Sequence, residues 1–64
     1  MPEPKARQLD GYDEFGILVA LAFLESTGWT VYAKRKQWPK QQRDAAELLM
    51  KSHGAAEIKE SWWA

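Results

Sequence analysis

Apolar residues along the chain fall into four groups with different spacings. The first, "GILVALAFL" at residues 16–24, is an unbroken run. The second, "WTVYA" at 29–33, alternates, with Trp29, Val31 and Ala33 on one side and Thr30 and Tyr32 on the other. The third, Ala45, Ala46, Leu48, Leu49 and Met50, recurs at helical spacing. The fourth, Ile58, Trp62 and Trp63, is too sparse to set a period.

These spacings predict four elements. Asp10 or Asp13 can cap a first helix, and Asp13 and Glu14 suit its positive end. It runs to about Thr27, where Gly28 supplies a left-handed stop. On a helical wheel Phe15, Leu18, Val19 and Ala22 oppose Ile17, Leu21 and Leu24. A helix apolar on all sides must be covered on all sides. Residues 29–36 are rich in strand formers with a period of two, and Pro39 disfavours helix at Trp38. Pro39 then opens a second helix that ends at Gly54. Its Arg43, Glu47 and Lys51 are spaced for pairing along the solvent side. Residues 55–64 suit either helix or strand. A strand parallel to 29–36 would set Glu57 and Glu60 beside the basic residues, and the 39–53 helix is long enough for the crossover.

The expected fold is therefore α+β, in the order αβαβ with two strands. Two strands alone are marginal in water, so dimerisation is expected to complete the sheet. The alternative is an all-α bundle of three or four helices. Residues 1–9, with two prolines and alternating charge, read as a flexible arm before one small domain at 10–64.

Composition narrows the chemistry. A chain of 64 residues buries only about 60% of its unfolded surface, so self-association would help it. It has no cysteine and a single histidine, His53, which excludes disulfides, thiolate catalysis and cysteine- or histidine-rich metal sites. No cofactor is expected. The longest apolar run is well short of the roughly 20 residues that span a bilayer, and the amino end has no apolar signal-like core, so a cytoplasmic location is expected.

The net charge is zero but segregated, with −4 over residues 10–26 and +5 over 27–43. Within the basic block, Lys34, Arg35, Lys36, Lys40 and Arg43 have Tyr32 and Trp38 among them, and Gln41 stands near the predicted helix start. Cations that meet phosphates and aromatics that stack on bases make this a candidate nucleic-acid contact. The bland reading is a solvated strand end and loop, which the neutral total charge favours. The surplus apolar residues Phe15, Leu18, Leu21 and Leu24, with Trp62 and Trp63, form a candidate protein interface, because tryptophan is enriched at binding hot spots. Helix capping accounts for Asp10, Asp13 and Glu14, and the helix dipole for His53, without catalysis. Ser26, Ser52 and Ser61 have no base partner at a telling spacing. The sequence thus points to a non-enzymatic regulator or inhibitor of a larger protein, of the kind phage and mobile elements encode, and no enzyme activity is expected. The alternative is a nucleic-acid-binding protein.

Overall fold

The computed structural model describes residues 6–63, and side chains for residues 7–62. Four strands form a meander: β1 (Ala6–Tyr12), β2 (Leu18–Glu25), β3 (Gly28–Ala33) and β4 (Lys36–Gln41). Helix α1 (Arg43–Ser52) then carries the chain across the sheet to β5 (Glu57–Trp63). The sheet order is β4-β3-β2-β1-β5, and every neighbouring pair is antiparallel.

This corrects the expected αβαβ fold and its all-α alternative. The run at 16–24 is no helix. Asp13 folds the chain into a turn instead, because its carboxylate accepts hydrogen bonds from the Phe15 and Ile17 amides, both at 2.9 Å. Gly16 completes that turn at φ +79°. The rest of the run is β2, the central strand. Its burial does alternate, with Ala20 and Ala22 buried and Val19, Leu21 and Phe23 half-buried, but the half-buried face is apolar too, so the sequence itself shows no alternation. Ala20 and Ala22 face α1, while Leu21 and Phe23 take the other face beside Tyr32 and Thr30.

The second helix exists but starts at Arg43, after Gln42 as its N-cap residue. Pro39 lies in β4, an edge strand, where its missing N–H costs no ladder bond. The parallel pairing of residues 29–36 with 56–63 is also overturned. β3 lies between β2 and β4, and β5 runs antiparallel to β1, with Lys59 opposite Asp10. Of the expected arm, residues 6–9 belong to β1 and residues 1–5 lie outside the described residues.

The core lies between the sheet and α1. Leu9, Ala22, Val31, Ala46 and Met50 are fully enclosed, with Trp29 and Ala33 nearly so. Close approach needs small residues. A Cβ on Gly11 would stand 2.9 Å from the Ala55 Cβ and 3.0 Å from the Met50 Cε, so glycine there lets the helix end settle onto β1. No helix among the described residues is long and apolar enough to cross a membrane.

Candidate functional site

The two ends of the sheet differ in how their side chains are used. At one end lie the β1–β2 loop and the β3–β4 turn. The loop is rigid: Asp13 holds it through its side chain and through backbone bonds to Gly16 and Ile17. It turns apolar side chains outward, with Phe15 78%, Ile17 60% and Leu18 47% exposed. Across from it, Lys34 and Arg35 are the two central residues of the hairpin turn, since Ala33 pairs with Lys36. Their φ values are +52° and +66°. A two-residue turn that is left-handed at both positions matches the twist of the strands, but it normally carries Asn-Gly. For Lys and Arg the left-handed region costs about 1 kcal/mol each.

Between loop and turn is a groove of about 260 Å³. It opens because the β2–β3 ladder ends at the Leu21–Tyr32 pair. Leu18 and Leu21 form one wall and Tyr32 the other, and Lys34, Arg35 and Lys36 form the rim. Among the described residues none of these three cations forms an ion pair.

At the opposite end, charges are paired. Glu60 on β5 binds Arg7 and Arg43, both at 2.5 Å, and Arg43 also binds Glu47 at 3.0 Å. The guanidiniums of Arg7 and Arg43 each lie 5.7 Å from the Trp29 ring centroid. Arg7 also lies 5.3 Å from the Trp62 ring, whose indole N–H donates to Glu60. Hydrogen bonds that Arg43 donates to Glu47 and then to Glu60 raise its pKa against the cost of desolvation. Desolvation pushes the Glu60 carboxyl up, but bonds from Arg7, Arg43 and Trp62 together outweigh it and leave its pKa lowered.

The residues singled out in the sequence are therefore divided. Leu18 and Leu21 line the groove, while Phe15 stands exposed on the adjoining loop. Leu24 pairs with Trp29 toward the paired-charge end, and Trp62 lies on β5 opposite Arg7. Trp63 ends β5, and its side chain lies outside the described residues. The basic block is also broken up. Lys34, Arg35 and Lys36 stay together at the rim. Lys40 sits roughly 13 Å further along β4, at a bulge where its φ is +60°. Gln41 bonds back to the Pro39 carbonyl. Trp38 packs against the core with its ring 4.7 Å from that of His53. Arg43 is occupied by two carboxylates.

Sequence reading set Tyr32 among the basic residues as a possible stacking side chain, and it did not single out Ile17 as a site residue. Ile17 was hidden by the helical reading of the run around it. Tyr32 reaches the groove because an alternating strand that buries Trp29 and Val31 turns it the other way. Among the described residues no group of three metal-binding side chains comes together.

The fold and this surface define a small, mostly β domain with an uncovered apolar and basic end. No family model, curated protein or solved structure matches the chain.

Proposed function

We propose that this protein is a non-enzymatic interaction module that binds a segment of a larger protein in the groove beside the Lys34–Arg35 turn. The segment it fits is acidic and apolar. One observation carries this reading: the turn holds two cations with no ion pair among the described residues, in a conformation unfavourable for both, on the rim of an uncovered apolar groove. Strained residues of this kind concentrate where binding needs them. Leu18, Leu21 and Tyr32 offer cover for one large apolar side chain, and the three cations offer partners for carboxylates on either side of it. The lack of cysteine supports a cytoplasmic setting.

Nucleic acid is the weaker reading of the same end. With Arg43 paired and Trp38 packed against the core, three neighbouring cations remain, and Lys40 stands apart. Three phosphate contacts on a single strand give a salt slope of only about −2, too shallow for a dedicated grip.

Calorimetric titration separates the two. The probes are a peptide alternating Glu and Asp with Phe and Leu, its Gln/Asn counterpart, and an oligothymidylate. The proposal expects saturable binding of the acidic peptide alone, weakened at least about tenfold by Arg35→Glu, a loss of roughly 1.4 kcal/mol. Equal binding of the Gln/Asn peptide, or preferred binding of the oligothymidylate, overturns it.

A further inference from the structure

The chain contains a segment with the chemistry that its own groove selects. The β1–β2 loop reads Asp13-Glu14-Phe15-Gly16-Ile17. Phe15 and Ile17 are its most exposed apolar side chains, and Glu14 is exposed with no ion pair among the described residues. We infer that two copies associate with the loop of each seated in the groove of the other, Phe15 against Leu21 and Tyr32 and Glu14 against the Lys34–Arg35 turn. This pairing rests on the groove being a docking site for acidic and apolar chain.

Three features favour a second copy as the occupant. The first is charge. The loop brings two carboxylates to a rim of three cations, and the two halves of the interface are the same contact made twice. Such a contact closes on itself by two-fold symmetry. The second is rigidity. The Asp13 carboxylate already fixes the loop through the Phe15 and Ile17 amides, so docking freezes little further backbone and loses little affinity to ordering. The third is reach. The loop leads directly into Leu18, which forms a wall of the groove. Phe15 is three residues from that wall and points into solvent, so it serves a neighbour's groove better than its own.

The area sets the strength. Phe15, Ile17 and Leu18 leave on the order of 350 Å² of apolar surface in water, comparable to the largest patch on a typical monomer. Two reciprocal dockings would bury about 1,200 Å² in total, the low end of specific interfaces. The dimer is therefore weak and reversible. It also occupies the groove, so self-association and capture of a partner segment compete, and dilution frees the site.

The test is sedimentation equilibrium of the full chain from low micromolar to near-millimolar concentration. The wild type is expected to show a monomer–dimer equilibrium. Arg35→Glu and Glu14→Lys should each weaken it at least about tenfold, as like charges now meet in both halves. An equimolar mixture of the two variants should associate again, because both halves of the mixed dimer regain opposite charges. Phe15→Ser should abolish association with an unchanged circular dichroism spectrum and urea midpoint, which separates loss of contact from loss of fold.

A wild type that stays monomeric to near-millimolar concentration overturns the pairing. So does a mixture of folded variants that fails to associate. If the acidic peptide still binds in either case, the groove reading stands without self-pairing. If the charge swap works but the free peptide does not bind, the pairing stands and the partner reading falls.

Discussion

Arg35 and Arg43 belong to one basic segment, eight residues apart in the sequence. Arg43 begins the helix, meets two carboxylates and lies over the face of a buried tryptophan. Arg35 sits at a turn tip with no carboxylate near it among the described residues, in a backbone conformation that disfavours it. The first guanidinium locks β5, α1 and β3 together. The second contributes nothing visible to the fold and opposes its own turn. A cluster of cations in a sequence therefore has no single meaning. What a cation does depends on whether the topology delivers an acid to it, and here the topology delivers Glu60 to one end only.

The sharpest contrast between enclosed and uncovered residues should appear in stability. Leu9→Ala empties a fully buried site beside Ala22 and Met50 and should cost about 3 kcal/mol. A domain this small has roughly 3–9 kcal/mol in all, so the variant is expected to be substantially unfolded or close to it. Phe15→Ser removes an equally apolar side chain from the exposed loop and should change stability by less than about 0.5 kcal/mol. Urea unfolding followed by tryptophan emission measures both. Equal losses would erase the distinction between the core and the uncovered end.

A smaller effect should mark the paired-charge end. Glu60 is bonded in its charged form and its pKa is lowered below the ordinary value of 4.5. Its contribution to stability is then present above the unfolded value and is lost as pH falls through the lower folded one. Glu60→Gln leaves the two guanidiniums facing each other without their shared acid. It should lower the thermal midpoint at neutral pH and flatten the decline on acidification. The same decline in wild type and variant would mean that Glu60 does not hold this end together.

Parts of this structure were legible in the sequence, and the reasons differ by element. A strand was expected at 29–36 from strict alternation, and the structure ends it at Ala33 as β3; the helix followed from Ala45, Ala46, Leu49 and Met50. The helix start was misplaced because proline suits both a first helical turn and an edge strand, and only the second was used here. β2 was lost because its half-buried face is apolar as well, and such a run has no period that separates a strand from a helix. Its neighbours decide, and the neighbour β1 is polar at Gln8 and Asp10 and carries Gly11, so it gave no strand signal. The groove could not be read at all. It depends on where the β2–β3 ladder stops, a property of register and not of composition. Its rim was partly legible, since Lys34, Arg35 and Lys36 stood out as basic. Their separation from Arg43 was not, because it required knowing where β5 lands.

If the Lys34–Arg35 turn sacrifices stability for recognition, one double variant should reverse both. Lys34→Asn with Arg35→Gly installs the pair that a left-handed two-residue turn prefers and removes two rim cations at once. Stability should rise by about 1–2 kcal/mol, or roughly 5–10 °C in thermal midpoint. Binding of the acidic peptide should fall below detection in the same preparation. A variant that is no more stable, or that binds the peptide as tightly as the wild type, would mean that the turn makes no such trade.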